Sequence, residues 1–244
     1  MNLISVDSPF FGNLAVITGG SRGIGERLIH EFASRGYNIS TYGRSEKVLE
    51  ALKQSVEEKY GVKVHYQVAD ASDKNQVKAF GSFCQSLSMP VRVLINNAGR
   101  FEPGDLMVEP EGNMRDMMSV NFESAYELTR CLVPLMKADK KGHIINICSV
   151  ASLKAYPAGG SYAVSKAALM SFSQNLREEL KVFGIKVTSV FPGATWTDSW
   201  SSSGIPEDRF MPVSDLVKMI WAAHDLSGRS VVEEIVLRPQ LGDI

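Results

Sequence analysis

The sequence predicts an α/β fold: a single-domain, Rossmann-type, doubly wound parallel sheet of about seven strands with helices on both faces. Apolar strand-like runs alternate with stretches of helical periodicity along the whole 244-residue chain. The first run, residues 14–17, is apolar throughout, as is typical of a parallel strand covered on both faces. Because no repeat or linker interrupts this rhythm, we expect residues 1–244 to form one domain.

The pattern places each element in order. Strands are predicted at residues 14–17, 37–42, 62–68, 91–95, 143–148, 185–191 and 232–237. Helices are predicted at residues 25–35, 45–60, 72–88, 112–141, 161–183 and 214–226, with Pro134 interrupting the fourth near its end. Residues 192–212 are rich in Ser, Gly, Pro and Trp and break the rhythm. They predict a short substrate loop near 194–212.

Composition narrows the function classes. Lys and Arg number 26 and Asp and Glu 27, so a net charge of −1 disfavours a role in binding nucleic acid. No apolar run is long enough to span a bilayer, and residues 1–13 lack the pattern of a signal peptide. We therefore expect a cytoplasmic protein with a small-molecule substrate and no membrane partner. Cys84, Cys131 and Cys148 form no C-x-x-C pair and predict free thiols. The four histidines match no metal motif, so no metal is expected.

A glycine-rich turn, Thr-Gly-Gly-Ser-Arg-Gly-Ile-Gly at residues 18–25, joins the first strand to the first helix. Glycines let the backbone approach a diphosphate closely, and the helix N-terminus offers unpaired N–H groups. The spacing is G-x-x-x-G-x-G, and a plain strand–helix connection is the alternative interpretation. The position after the first strand favours a dinucleotide site. Its predicted residues are Gly19, Ser21, Arg22, Gly23, Ile24 and Gly25.

The end of the second strand bears on which nicotinamide cofactor is used. An acid there would bind the ribose 2′-hydroxyl of NAD, but the sequence has Arg44. A guanidinium suits a 2′-phosphate, and Arg22 is placed to bind it from the other side. We therefore expect NADP(H) rather than NAD(H), although two solvated surface arginines are the simpler alternative. Asp70, after the third strand, either bonds the adenine amino group or caps the next helix. Small and amide residues after the fourth strand predict close cofactor approach at Asn97, Ala98 and Gly99.

A second group of polar residues carries the predicted chemistry. Tyr162 and Lys166 lie four residues apart, on one face of the predicted helix. An ammonium beside a phenol is expected to lower its pKa from about 10, which suits a general acid or base. Ser149, just past the fifth strand, is placed to bond the substrate oxygen. Asn121 is expected to hold a water that relays protons to Lys166. The Y-x-x-x-K pattern alone is common on surface helices, so only the whole set of residues indicates catalysis.

Together these motifs resemble those of the classical short-chain dehydrogenase/reductase family over residues 14–237. Ser149 and Tyr162 are separated by 13 positions, as in that family. The resemblance implies a catalytic tetrad of Asn121, Ser149, Tyr162 and Lys166. In it, Tyr162 is the acid/base, and Lys166 lowers its pKa and bonds the nicotinamide ribose, so both also bind the cofactor. It further implies contacts to the nicotinamide end. These come from Pro192, Gly193, the N–H of Ala194, Thr195 and Thr197.

The expected function is NADP(H)-dependent reduction of a ketone or aldehyde. An NAD-dependent alcohol dehydrogenase and a non-catalytic NADP(H)-binding redox sensor are the alternatives. The residues after 237 lack the V-D-G-G ending of ketoacyl reductases in this family, which argues against 3-oxoacyl carrier-protein reduction. Trp196, Trp200, Ile205 and Phe210 are the apolar candidates of the substrate loop. By resemblance, helices near 120–137 and 161–183 predict a homodimer or homotetramer.

Overall fold

One parallel sheet organises the chain. The computed structural model describes residues 8–197, 200 and 204–244. Its seven strands follow the order β3-β2-β1-β4-β5-β6-β7, and all their pairings are parallel. The strands are β1 (Leu14–Thr18), β2 (Asn38–Gly43), β3 (Val64–Val68), β4 (Val91–Asn96), β5 (Gly142–Ile147), β6 (Ile185–Pro192) and β7 (Glu234–Leu237). The predicted fold class is confirmed.

Helices cover both faces of this sheet. They are α1 (Gly23–Ser34), α2 (Glu46–Tyr60), α3 (Lys74–Ser86), α4 (Asn113–Met118), α5 (Ser124–Asp139), α6 (Gly160–Leu180) and α7 (Val213–Asp225). The predicted bounds agree within a few residues, except in the middle of the chain. Among the described residues, no helix is long and apolar enough to cross a membrane.

The two apolar cores explain why the strands read as apolar runs. In β1, Ala15 and Ile17 pack into the core under α1, α2 and α7, whereas Leu14 and Val16 pack into the core under α3, α5 and α6. All four side chains are fully buried. Because each of the larger ones contributes about 1.5–3 kcal/mol on burial, both faces of β1 fix its place at the sheet centre.

The helix predicted at 112–141 is present as a continuous helical run over residues 113–139, but a π-helical turn divides it. α4 ends at Met118, a π-helical turn follows at Ser119–Glu123, and α5 then begins at Ser124. Pro134 lies inside α5 and does not end it. A π turn adds one residue to a helix while its apolar face continues, so periodicity alone does not reveal it. The turn carries Asn121.

A buried polar chain crosses the core between β5, β6 and α7. His143 Nε2 lies 2.8 Å from Thr188 Oγ1, and its Nδ1 lies 3.2 Å from His224 Nδ1. His224 Nε2 in turn lies 2.8 Å from the Tyr37 hydroxyl. Burial lowers the pKa of His224 to about 3, with Lys186 adding to the effect. Burial also holds the pKa of His143 well below its usual value. Both imidazoles are therefore neutral at pH 7.

The buried histidines of this hydrogen-bonded row predict that acid destabilises the fold. The unfolded histidine binds a proton near pH 6.5 but folded His224 only near 3, so the unfolded state binds more protons between these values. The free energy of unfolding then falls as pH drops below about 6.5, by at most about 1.4 kcal/mol per pH unit for this residue. Urea unfolding at about pH 7 and about pH 5 measures this loss of unfolding free energy. The loss should be smaller in His224→Gln than in wild type, and the amide keeps a polar partner for Tyr37. Equal losses in both proteins would contradict the assignment.

Candidate active site

The site begins where the carboxyl ends of β1 and β4 lie side by side, the point at which the strand order reverses. Thr18 Oγ1 accepts hydrogen bonds from the backbone N–H groups of Asn97 (2.9 Å) and Ala98 (2.8 Å). The Asn97 amide donates to the carbonyl oxygens of Thr18 (2.9 Å) and Gly19 (3.3 Å). Ligands of open α/β sheets bind at such a switch point. These bonds hold the turn after β1 against the turn after β4, where the sequence predicts the cofactor site.

The glycine-rich turn packs so closely that side chains are excluded. Gly19 has φ +65°. A Cβ at Gly25 would lie 2.2 Å from the Gly19 carbonyl oxygen and 2.6 Å from Asn97 Nδ2. Glycine at both positions lets the first turn of α1 rest directly on the strand-end turn. No side chain among the described residues caps α1, whose N-cap residue is Arg22.

The same turn faces the loop after β6. Gly23 has φ +60°, and a Cβ there would meet the Thr197 methyl group at 3.5 Å. Ser21 lies beside the end of β2, with its Oγ 3.5 Å from a Cβ built on Gly43. Arg22 and Arg44 are both exposed at this edge. A glycine-rich helix start that no described side chain caps, with two exposed cations beside it, fits a phosphorylated dinucleotide.

Asp70 organises the turn before α3. Its Oδ1 accepts from the Ser72 N–H and from the Ser72 hydroxyl, each at 2.8 Å. The Ser72 N–H is the main reason that the pKa of Asp70 is lowered, and Arg44 adds to it. The capping role left open for Asp70 belongs instead to Asp73, which accepts from the N–H groups of Asn75 and Gln76. The adenine contact of Asp70 stays a prediction.

α6 presents Tyr162 and Lys166 beside the end of β5. Ser149 begins the short 3₁₀ helix Val150–Ser152, where its Oγ accepts from the Ala151 N–H at 3.1 Å. Lys166 Nζ donates to the Ile147 carbonyl oxygen at 2.7 Å and lies 6.0 Å from the centroid of the Tyr162 ring. Lys166 is only 3% exposed, and burial lowers its pKa to about 8.

The structure overturns the predicted pKa of Tyr162. Burial raises the pKa of this phenol above its usual value, and the Ser149 hydroxyl opposes the shift. The cost of removing a phenolate from water outweighs the expected effect of the Lys166 ammonium, which is bonded to Ile147. At neutral pH Tyr162 therefore keeps its proton, the form that donates to a substrate oxygen.

Asn121 links the end of β4 to α6. Its Oδ1 accepts from the Arg100 N–H at 2.8 Å, and its Nδ2 donates to the Arg100 carbonyl at 3.0 Å and to Ser165 Oγ at 2.9 Å. A Cβ on Gly99 would lie 3.3 Å from both Asn121 Oδ1 and Lys166 Nζ. The side-chain amide thus holds the Gly99–Arg100 backbone and α6 together. Its predicted part in a water relay stays a prediction.

Half of the predicted site residues, ten of twenty, meet at one cavity of about 360 Å³. Its lining includes Ile24, Asn97, Gly99, Ser149, Tyr162, Lys166, Pro192, Gly193, Ala194 and Thr195. Thr197 and Gly23 line a separate cavity of about 510 Å³.

The substrate loop contributes aromatic rings to this region. Trp200 lines the catalytic cavity and packs on Phe210, with ring centroids 5.2 Å apart. Phe101, from the loop after β4, packs edge-on against Tyr162 at 4.8 Å and lies 6.1 Å from Trp200. Positions 198–199 and 201–203 of the predicted loop lie outside the described residues.

Three lining or flanking residues were missed by sequence reasoning. Tyr156 and Asp243 line the cavity, and Arg238 bonds both of them. Tyr156 lies more than 80 positions before Arg238 and Asp243, and all three are in irregular segments, so no local pattern connects them.

Comparison with known proteins agrees with this geometry. The family model for short chain dehydrogenase matches residues 13–207. A 3-oxoacyl-[acyl-carrier-protein] reductase from Chlamydia muridarum is 31% identical over 194 residues, covering 79% of this chain and 78% of its own. Hydroxysteroid dehydrogenase-like protein 1 from Gallus gallus is 33% identical, over 89% of this chain and 65% of its own.

Two solved structures match nearly the whole chain. An alcohol dehydrogenase from Thermococcus sibiricus, complexed with 5-hydroxy-NADP, has a TM-score of 0.87 at 25% identity, covering 95% of this chain and 98% of its own. L-Sorbose reductase from Gluconobacter frateurii, complexed with NADPH and L-sorbose, has a TM-score of 0.87 at 27% identity, covering 96% and 97%. The chain belongs to the short-chain dehydrogenase family, and it is therefore an oxidoreductase by family.

Proposed function

We propose that the protein is an NADP(H)-dependent carbonyl reductase that converts a ketone or aldehyde to an alcohol. The observation that carries this proposal is the shared cavity, in which Ser149, Tyr162 and Lys166 meet the strand-end residues of the expected cofactor site. The NADP complexes of structurally similar family members support the choice of cofactor.

The protein's own groups perform the proton chemistry. When bound, NADPH supplies the hydride that is added to the carbonyl carbon. Tyr162 donates its phenolic proton to the carbonyl oxygen, and the Ser149 hydroxyl hydrogen-bonds the same oxygen and orients it. Lys166, in its ammonium form below about pH 8, stabilises the phenolate that results. Asn121 acts by position, since it holds α6 against the end of β4.

The residues that would hold the cofactor divide by the part they contact. The glycine-rich turn, from Gly19 to Gly25, would hold the diphosphate, and Arg22 and Arg44 the 2′-phosphate. Asp70 is assigned to the adenine. The ribose and nicotinamide would be held by Asn97, Ala98, Gly99, Tyr162, Lys166, Pro192, Gly193, Ala194, Thr195 and Thr197.

Two observations argue against the other functions. An acid at the end of β2 would suit NAD, but Arg44 stands there. A non-catalytic redox sensor would need no Ser149, Tyr162 and Lys166 around one cavity. Reduction with NADPH is the function that these features favour.

The first prediction concerns the proton donor. Tyr162→Phe keeps the ring that packs on Phe101 but loses the phenolic proton, so kcat/KM should fall by about 100-fold or more. Loss of NADPH absorbance with a panel of ketones and aldehydes measures this. Tyr60→Phe, on α2, is the matched control. Equal turnover in wild type and Tyr162→Phe would exclude Tyr162 as the acid. Tight NADPH binding without turnover in wild type would favour the sensor.

The second prediction concerns cofactor choice. Arg44→Ala removes a proposed charge-assisted contact to the 2′-phosphate, so the Kd for NADPH should rise by about 10- to 100-fold while that for NADH changes little. Isothermal titration with both nucleotides gives the comparison. Lys47→Ala removes an exposed cation three residues further along and serves as control. An equal loss for NADPH and NADH would contradict the assignment.

The third prediction concerns assembly. We propose a homodimer or homotetramer formed through α5 and α6. Phe172 on α6 packs with Tyr126 on α5, and Val164 on α6 is 42% exposed. Light scattering should give two or four chain masses, and Val164→Glu should shift the protein toward the monomer, since it places a charge on that face. A monomeric wild type would end this proposal.

A further inference from the structure

The segment after β7, residues 238–244, lies along the edge of the catalytic cavity. The Gly193 N–H donates to the Leu237 carbonyl at 2.7 Å. A Cβ on Gly193 would lie 3.0 Å from Pro239 Cδ and 3.3 Å from Arg238 Cα. Glycine at 193 therefore lets the 238–244 segment rest directly on the loop that carries the expected nicotinamide contacts.

Three side chains fasten this segment to the connection between β5 and α6. The Tyr156 hydroxyl donates to Asp243 Oδ2 at 2.5 Å. Arg238 Nη1 donates to the Tyr156 hydroxyl at 2.7 Å and also pairs with the same Asp243 oxygen. We call this group the Arg238–Tyr156–Asp243 clasp. Charged partners strengthen such hydrogen bonds, and Tyr156 and Arg238 lower the pKa of Asp243, which keeps the carboxylate ionised.

The clasp holds residues 238–244 along one side of the cavity. Asp243 and Ile244 line the same space as Ser149 and Tyr162. Tyr156 lines it as well and packs on the small apolar cluster that contains Val150. Ser149 and Tyr162 therefore share one cavity with residues that the clasp holds in place.

The cavity is open to solvent, so its walls together with its volume limit what fits beside Tyr162. The cavity of about 360 Å³ lies near the lower end of the range of roughly 300–1,000 Å³ for small-molecule sites. Under the proposed function, the nicotinamide end of the cofactor takes part of it. What remains is bordered by Phe101 and Trp200 as well as by Ile244. The space therefore suits a carbonyl compound with one compact apolar group.

We propose that the Arg238–Tyr156–Asp243 clasp fixes residues 238–244 as a wall that sets substrate size. The wall admits small carbonyl compounds with a single apolar group, such as one aromatic ring, and excludes bulkier ones. The inference rests on the proposed function, because it concerns the substrate of the same site. It makes Tyr156, Arg238 and Asp243 determinants of specificity.

Acetophenone and benzophenone, with one and two aromatic rings, are the probes of the test. Tyr156→Phe and Asp243→Asn each weaken the clasp while keeping side-chain shape. The ratio of kcat/KM for benzophenone to that for acetophenone should rise by about tenfold in either variant. Tyr66→Phe is the matched control, since the Tyr66 hydroxyl also donates to a carboxylate, Glu50 Oε2, at 2.8 Å, but between β3 and α2. Its ratio should equal that of wild type.

Deuterium uptake over residues 238–244 provides a readout that does not depend on turnover. Uptake should be faster in Tyr156→Phe and Asp243→Asn than in wild type, because weaker anchoring opens the segment more often. Faster uptake with an unchanged substrate ratio would show that the segment does not select substrates. Unchanged uptake would show that the clasp does not hold it. Either result overturns the proposal.

A wild-type protein that reduces neither ketone would count against the proposed function and leave the wall to be tested by binding. Equilibrium dialysis of acetophenone and benzophenone with the NADP⁺-loaded protein then gives the same ratio without chemistry. A tenfold rise in the relative affinity for benzophenone in Tyr156→Phe supports the wall. Equal ratios in all four proteins overturn it.

Discussion

The hydrogen bonds between Thr18 and Asn97 are the contact on which the candidate site depends. They join the ends of β1 and β4, whose remaining residues are fixed by burial on both faces. One side of this contact leads to the glycine-rich turn, because Asn97 also bonds Gly19. The other leads through Gly99 to Asn121 and α6. A shift at this point would therefore move the expected diphosphate site and the catalytic residues relative to each other.

Burial then decides how the titratable groups behave. The same removal of water that lowers the pKa of Lys166 to about 8 raises the pKa of Tyr162. Both shifts favour the uncharged form, so they act in opposite directions on an acid and a base. The sequence shows that Tyr162 and Lys166 share a helix face but not how much water reaches them. That is why the expected sign of the phenol shift was wrong, although both residues line one cavity.

Regular secondary structure could be predicted from the sequence, whereas irregular structure could not. Apolar runs reported the strands because both faces of the sheet are buried, and the helices followed from one-sided periodicity. The π turn at Asn121 left no trace, since one added residue does not change the average pattern of a long helix. Asp73, and not Asp70, caps α3. The two carboxylates lie three positions apart, and the sequence does not show at which of them the helix begins.

Regular and irregular structure also carry different parts of the proposed function, namely the reaction chemistry and the choice of substrate. Ser149, Lys166 and the turn after β1 lie on or beside elements that the apolar cores position, so the proposed reaction chemistry depends on core packing. The residues that border the rest of the cavity, among them Phe101, Trp200 and Asp243, lie in irregular segments that core packing does not fix. Ring packing holds Phe101 and Trp200, and the clasp holds Asp243, and single substitutions remove such contacts at small cost to the core. Because the proposed wall depends on the clasp and the proposed proton donor lies on α6, substrate size can change at this edge while Tyr162 keeps its position.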